Sequence, residues 1–368
     1  MQSNNPQTPA HLVFDQGVRD RTDALYERVR DVVPAVEWPM YAPLVDAINR
    51  LKVERNAVVL AHNYMTPEIF NCVGDITGDS LRLAQVAAEA EQDIIVQAGV
   101  HFMAETAKIL SPEKTVLIPD LEAGCSLAAS ITGEDVRRIR AAYPDYPIVT
   151  YVNTSAEVKA ESDICCTSSN AVGVVEAIAA QWGSDTVIMI PDEYLAKNVA
   201  SQTDIRILTW KGDCEVHEKF TRAEIEQLRA EHPDAMIITH PECPPEVLGA
   251  ADFAGSTGAM SAWVSEYRPK KAILITECSM SDNVAVANPG TQFIRPCNLC
   301  PHMKRITLEK IYRTLRDLRY EIHVSTDIAD RARASLRAML DLPRGAQPPG
   351  FDTSRPERRA EYVSVSTA

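Results

Sequence analysis

AVVLAHNY, at residues 57–64, is the first of three apolar runs that close in polar residues. The second is PIVTYVNT at residues 147–154, and the third is AMIITHPE at residues 235–242. The residue at which each run turns polar recurs at intervals of 89 positions. A regular period of this kind indicates that the chain contains three copies of one α/β unit.

Two further features keep nearly the same period. A hydroxyl residue opens a helical pattern after each run, at intervals of 88 residues, and these residues are Ser80, Ser168 and Ser256. Later in each unit a cysteine follows a short apolar strand, at intervals of 89 and 86 residues, and these cysteines are Cys125, Cys214 and Cys300. Each unit therefore carries a hydroxyl at a helix start and a thiol after a strand.

The strand segments are continuous runs of Val, Ile and Leu that alternate with helical patterns, as in parallel sheets covered on both faces. We therefore predict an α/β protein of three similar three-layer αβα, Rossmann-like units around a pseudo-threefold axis. Ligands in such folds bind beyond the carboxyl ends of the strands. The predicted parts are a mobile tail at 1–35, units at 36–133, 134–221 and 222–303, helices at 304–342 that pack back on the first unit, and a mobile tail at 343–368.

Composition excludes several classes of function. The 368 residues carry a formal charge of -14, whereas binding to nucleic-acid phosphates requires a basic face. No apolar run reaches the roughly 18 residues that a membrane span needs, and the polar N-terminal segment does not resemble a signal peptide. We therefore expect a cytoplasmic globular protein with neither a nucleic-acid nor a membrane partner.

The cysteines point to a metal centre. The chain has nine of them and no export signal, so we expect no disulfide framework. Three thiols at equivalent strand ends would converge on one metal centre and, because structural zinc and simple electron-carrying clusters take four ligands, leave one position open for Lewis-acid catalysis such as dehydration.

The alternative is that the three are small buried hydrophobes. Cys297 and Cys300 also form a CNLC pair, which alone can indicate zinc, a redox dithiol or neither. We assign to core or loop positions Cys72, Cys165, Cys166, Cys243 and Cys278.

The hydroxyl clusters at the helix starts predict anion binding, because free backbone N–H groups and the helix dipole favour negative charge there. They suit a ligand with several carboxylates or a phosphate, and Ser168 and Thr257 are the preferred contacts. Ordinary N-capping by the same residues is the alternative.

Polar residues at the strand ends are candidates for acid/base chemistry, since histidine and carboxylate can be tuned toward neutral pH. The candidates are His62, Tyr64, His240 and Glu242. A strand-end histidine can equally be structural. His217 follows Cys214 by three residues and is expected close to the metal centre.

Many short segments in this order resemble quinolinate synthase: LAHNYM, GDSLRLA, IPDLEAGCSLA, YVNTSAEVKA, CTSSNAV, GDCEVHE, THPEC, GSTGAM and CPHMKRITLEK. The similarity runs from about residue 40 to residue 341. It implies condensation of iminoaspartate with dihydroxyacetone phosphate to give quinolinate, phosphate and two waters, a transferase step with dehydratase chemistry in NAD biosynthesis. It also implies one [4Fe-4S] cluster with one iron open to substrate, held by Cys125, Cys214 and Cys300.

The resemblance further implies substrate contacts at His62, Tyr64, Ser80, Tyr151, Asn153, Ser168, His240, Glu242, Ser256 and Thr257. Among these, Tyr64 and Glu242 match proton-transfer residues, and His62 and His240 match residues that hold carboxylates. Some family members have a CxxCxxC run where this chain has Ile294, which removes the basis for a redox switch on that run. An L-aspartate oxidase is the implied source of unstable iminoaspartate.

The residues leave two other functions open. One is another aconitase-type hydro-lyase that acts on a different hydroxy acid. The other is a non-catalytic iron or zinc sensor, for which replacing Tyr64 or Glu242 would leave function intact. A nucleotide-dependent dehydrogenase does not fit, because no GxGxxG follows a strand and no P-loop is present.

Overall fold

The described part of the chain covers residues 12–342, 350–355 and 360–364 of a computed structural model. Helix α1 (Gln16–Val29) precedes the first unit, which contains α2 (Trp38–Glu54), β1 (Ala57–His62), α3 (Pro67–Cys72), β2 (Ile76–Gly78), α4 (Ser80–Glu89), β3 (Ile94–Ala98), α5 (His101–Leu110), β4 (Thr115–Leu117) and α6 (Ser126–Ala129). The second contains α7 (Gly133–Ala142), β5 (Ile148–Tyr151), α8 (Ala156–Glu161), β6 (Ile164–Cys166), α9 (Ala171–Trp182), β7 (Thr186–Ile190), α10 (Glu193–Gln202) and β8 (Arg206–Thr209). The third contains α11 (Arg222–Glu231), β9 (Ala235–Thr239), α12 (Pro245–Leu248), β10 (Phe253–Ala254), α13 (Thr257–Tyr267), β11 (Lys271–Ile275), α14 (Ser279–Ala287) and β12 (Gln292–Ile294).

The three sheets share one topology. All their strand pairs are parallel, and the orders are β2-β1-β3-β4, β6-β5-β7-β8 and β10-β9-β11-β12. Strands β1, β3 and β7 are buried along their whole length, because helices cover both faces. The predicted α/β class with three similar parallel-sheet units is confirmed.

A carboxylate clasp also recurs in the three units. In the second unit Asp163 accepts a hydrogen bond from the backbone N–H of Ile148 (2.7 Å) and forms an ion pair with Arg140 (2.7 Å). This arrangement, a carboxylate that accepts from a backbone N–H and pairs with a cation, is called the clasp below. It links α7 to β5 and to the residue that precedes β6. The equivalent pairs are Asp75 with Lys52 and Asp252 with Arg229. The repeat therefore extends from strand pattern to individual ion pairs.

Helix α1 corrects the prediction of a mobile tail at residues 1–35. Its Val18 and Val29 are buried, and Arg21 forms an ion pair with Asp46 of α2 (2.6 Å). The buried positions are few and the surrounding sequence is strongly charged, so the helical period is too weak to predict a packed element. Residues 1–11 lie outside the described residues.

The C-terminal segment also differs from the predicted tail at 343–368, of which 343–349, 356–359 and 365–368 lie outside the described residues. The backbone N–H of Phe351 donates to the Ala254 carbonyl in the third unit (2.7 Å). Strand β13 (Glu361–Tyr362) then pairs with β8 of the second unit. Backbone pairing at sheet edges needs no hydrophobic pattern, which explains why the sequence does not reveal it.

The helices after the third unit pack on two units. The sequence predicts that residues 304–342 pack on the first unit. After a 3₁₀ turn at Met303–Arg305, α15 (Leu308–Asp317) lies against α2 of that unit. In contrast, α16 (Thr326–Leu340) lies mainly against α8 and β6 of the second unit, so the prediction is wrong for this helix. Among the residues that the structure describes, no helix combines the length and hydrophobicity that a membrane span requires.

One cysteine pair differs from the expectation of reduced thiols. Cys278 and Cys297 form a disulfide, with their Cα atoms 5.0 Å apart. Cys278 is therefore not a plain core residue, and the CNLC pair does not act as one unit, because Cys300 is a free thiol. The bond fastens the segment that carries Cys300 to the start of α14.

Candidate active site

Residues from all three units line one cavity at the carboxyl ends of their strands. It contains about 700 Å³ of space not filled by atoms, a figure that includes the open mouth of the cavity. Every residue that the sequence predicts for the site lines this cavity except Ser256, which is buried as the N-cap of α13. The shared topology explains this convergence, because equivalent strand ends carry the predicted residues.

Two histidines present N–H groups to the cavity. The Nδ1 atom of His62 accepts a hydrogen bond from the Tyr64 backbone N–H (3.2 Å), and Nδ1 of His240 accepts one from the Glu242 backbone N–H (3.3 Å). Each neutral ring then carries its hydrogen on Nε2. Burial lowers the pKa of His62 to about 4 and that of His240 to about 3, against the opposing charge of Glu242. Both rings are thus neutral hydrogen-bond donors near pH 7.

Glu242 is a buried carboxylate held between several donors. Its Oε2 atom lies 2.8 Å from Nδ1 of His217, and its Oε1 atom accepts hydrogen bonds from the Tyr151 hydroxyl (2.5 Å) and the Asn153 amide (3.5 Å). Burial alone would raise the pKa of Glu242, but the adjacent His240 ring and the hydrogen bonds that the carboxylate accepts from His217 and Tyr151 outweigh burial and lower that pKa. Glu242 is therefore ionised and able to accept a proton.

The Tyr64 hydroxyl lies near Glu242 and its hydrogen-bond donors. It is 2.6 Å from the Thr276 hydroxyl, which is itself 2.9 Å from Nε2 of His217. Burial, reinforced by the charge of Glu242, raises the pKa of Tyr64, so the phenol keeps its proton at neutral pH. The cavity thus contains a protonated phenol and an ionised carboxylate on either side of one imidazole.

The three predicted cysteines are free thiols that line the same cavity. Burial raises the pKa of all three thiols, to about 12 for Cys125, although backbone N–H groups two and three residues further on lower it in each case. For Cys300 one of these donors is the Met303 N–H, 3.5 Å from the sulfur. Three sulfurs, each facing two backbone donors, suit an iron-sulfur cluster, because those donors stabilise thiolates and the metal supplies the positive charge.

A second donor group shares one of these sulfurs. The sulfur of Cys214, a ring nitrogen of His217 and a carboxylate oxygen of Glu242 lie within 4.8 Å of one another. Such a set can hold a single zinc or iron ion. It competes with the three-cysteine arrangement, because Cys214 belongs to both.

The three helix starts meet at Asp79. This residue caps α4, and its Oδ2 atom accepts hydrogen bonds from the hydroxyls of Ser169 (2.7 Å) and Ser256 (3.4 Å), which belong to the other two units. Ser256 also caps α13 by accepting from Ala259 N–H. The structure thus gives Ser256 a capping role, whereas Ser80 and Thr257, the first residues of α4 and α13, line the cavity. Ser168 also lines the cavity but precedes Asn170, the N-cap of α9, by two residues.

Several residues near the cavity escaped the sequence analysis, chiefly Thr276, Lys304 and Asp79. The Nζ atom of Lys304 contacts buried Glu277 (2.8 Å) and the backbone carbonyl of Tyr64 (2.8 Å). The segment KKAILITE at residues 270–277 ends in an acidic residue, as DTVIMIPD at residues 185–192 does in the second unit, and this shared ending is a sequence signal for Glu277. No comparable signal marks Lys304, because its contacts join distant parts of the chain.

Three parallel-sheet units with free thiols, neutral histidines and an ionised carboxylate around one cavity define an enzyme with a candidate metal centre. The sequence profile of the quinolinate synthetase A protein family matches residues 46–341. A quinolinate synthase of Caulobacter vibrioides (strain NA1000 / CB15N) is 58% identical over 340 residues, covering 92% of this chain and 93% of the relative. Quinolinate synthase 2 of Mesorhizobium japonicum is 61% identical over 316 residues, 86% of this chain and 96% of the relative. The chain belongs to the quinolinate synthetase A family.

Proposed function

We propose that this chain condenses iminoaspartate with dihydroxyacetone phosphate to form quinolinate, inorganic phosphate and two waters. The observation that carries the proposal is the convergence of three free thiols with the Tyr64, His217 and Glu242 cluster in one cavity. Family membership supports the product, since the relatives are named for quinolinate.

The substrate's carboxylates are bound by neutral donors and helix starts. His62 and His240 donate from Nε2, and the hydroxyl of Ser168 lies 3.3 Å from Nε2 of His240. The starts of α4 and α13 add backbone N–H groups and the hydroxyls of Ser80 and Thr257. These groups bind a dicarboxylate and the departing phosphate without placing a fixed positive charge beside the reacting atoms.

Tyr64 and Glu242 move protons in this proposal. Glu242 accepts a proton from the condensed substrate because it is ionised and buried beside it. Tyr64 donates to a departing hydroxyl because its phenol is protonated. Tyr151 and Asn153 hold the Glu242 carboxylate in place.

Cys125, Cys214 and Cys300 would hold one [4Fe-4S] cluster. Their free state, shared cavity and paired backbone donors fit that group. When bound, such a cluster with three protein ligands supplies an open iron that acts as a Lewis acid on a hydroxyl or carboxylate.

The first experiment measures iron, acid-labile sulfide and zinc in chain purified without oxygen, followed by assay of quinolinate formation. Close to four irons and four sulfides per chain with quinolinate produced would support the proposal. The variants Cys125→Ser, Cys214→Ser and Cys300→Ser should each lose cluster and activity. Retention of one metal ion by Cys125→Ser and Cys300→Ser, with loss in Cys214→Ser, would instead assign a mononuclear site to Cys214, His217 and Glu242.

Two consequences follow for the surroundings of the enzyme. Iminoaspartate hydrolyses readily, so an aspartate-oxidising enzyme must supply it close to the cavity. A cytoplasmic location would keep the free thiols of Cys125, Cys214 and Cys300 reduced for cluster assembly. Failure to form quinolinate in a cluster-loaded chain would redirect the search to other hydroxy acids, as for an aconitase-type hydro-lyase.

A further inference from the structure

Thr276 lies behind the cavity wall, in contact with two residues that line the cavity. It follows β11 directly, and its side chain is fully buried. Its single hydroxyl is 2.6 Å from the Tyr64 hydroxyl and 2.9 Å from Nε2 of His217. The direct distance between the Tyr64 hydroxyl and the His217 nitrogen is longer, at 3.4 Å. The threonine hydroxyl therefore provides the shorter connection between the two groups.

The hydrogen bonds that link Tyr64, Thr276, His217 and Glu242 run in one direction. Glu242 is a carboxylate, which only accepts, so the His217 nitrogen 2.8 Å away carries a hydrogen on Nδ1. In the ring tautomer with its hydrogen on Nδ1, Nε2 is an acceptor, and the Thr276 hydroxyl donates to it. That hydroxyl accepts in turn from the Tyr64 phenol. Each group uses its hydrogen once, which fixes the ring of His217 and the direction of the Tyr64 O–H bond.

We infer that Thr276 is a positioning residue, which orients the Tyr64 phenol and the His217 ring for proton transfer in the proposed reaction. The inference rests on the proposed function and deepens it. Thr276 acts through Tyr64 and His217, and it does not line the cavity itself. Its loss should therefore lower kcat and leave KM and cluster content almost unchanged.

The first test compares Thr276→Val with Thr276→Ser. Valine keeps the shape of threonine and removes the hydroxyl, so we expect kcat to fall about 10- to 100-fold, with KM within about threefold. Serine retains the hydroxyl and should keep kcat within about threefold of wild type. The matched control is Thr314→Val, because Thr314 is buried in α15 and its hydroxyl has no hydrogen-bond partner among the described residues. This control should match wild type.

A second pair keeps the test decisive if valine prevents folding. Thr276→Ser and Thr276→Ala leave cavities of similar size and differ by the hydroxyl alone. A kcat for serine at least about 10-fold above that for alanine would support the inference, and equal values would overturn it. Because the wild-type chain is assayed beside them, an inactive wild type would count against the proposed function and not against Thr276.

A measurement independent of activity tests the contact itself. Unfolding midpoints in denaturant are compared for Tyr64→Phe, Thr276→Val and the double variant. Two hydroxyls that share a hydrogen bond should show non-additive effects, since either single change already breaks it. Strictly additive shifts would show that Tyr64 and Thr276 act independently and would overturn the inference.

Discussion

Acid should destabilise this chain through the buried histidines His62 and His240. Burial holds the pKa of His62 at about 4 and that of His240 at about 3, below the ordinary value of 6.5. The unfolded chain therefore binds these protons more readily, and the free energy of unfolding falls as pH drops below about 6.5. At pH 5 each histidine lowers the free energy of unfolding by about 2 kcal/mol. The reason is that pH 5 lies about 1.5 units below the ordinary pKa, and each unit corresponds to about 1.4 kcal/mol.

The experiment compares wild type with His240→Gln by chemical denaturation at pH 7.5 and pH 5. Glutamine does not titrate, so the variant should lose about 2 kcal/mol less than wild type between the two pH values. His323→Gln is the matched control, because His323 is exposed and lies outside the cavity. An equal loss in wild type and His240→Gln would refute burial as the cause. Glu242 has a lowered pKa, so its contribution is complete above its ordinary value and is lost only in stronger acid.

Three other variants test separate parts of the argument. Glu242→Gln should lower kcat at least about 100-fold in a steady-state assay, because an amide cannot take up a proton and keeps only one of the two oxygens that Tyr151 and His217 contact; a smaller loss would exclude Glu242 as the proton acceptor. Lys304→Met should lower the free energy of unfolding, measured in denaturant, by about 3 kcal/mol, because it leaves Glu277 buried without its cation. The double variant Lys304→Met with Glu277→Gln should recover part of the lost stability. Asp163→Asn should cost about 1 kcal/mol on the same measurement with kcat unchanged, and a large fall in kcat would show that the clasp also shapes the cavity.

The repeat made most of the scaffold and much of the candidate site predictable. Equivalent strands end at one edge of equivalent sheets, so residues in phase with the period had to be equivalent in space. This reasoning brought together Cys125, Cys214 and Cys300, which line one cavity. Pairing of Phe351 and β13 with sheet edges was not predictable, because backbone hydrogen bonds leave little trace in side-chain pattern.

Thr276 shows why a search in phase with the repeat misses part of the chemistry. Ala98, Ile190 and Ile275 are equivalent strand ends, since they pair with Ala61, Thr150 and Thr239 respectively, and Thr276 therefore corresponds to Gly99 and Pro191. Neither glycine nor proline has a side-chain hydroxyl, so the contact to Tyr64 and His217 exists in the third unit alone. Three identical units would present three identical faces to the cavity, whereas an unsymmetrical substrate needs donors on one side and an acceptor on another. The positions that break the repeat are therefore where residues that orient proton transfer should be sought.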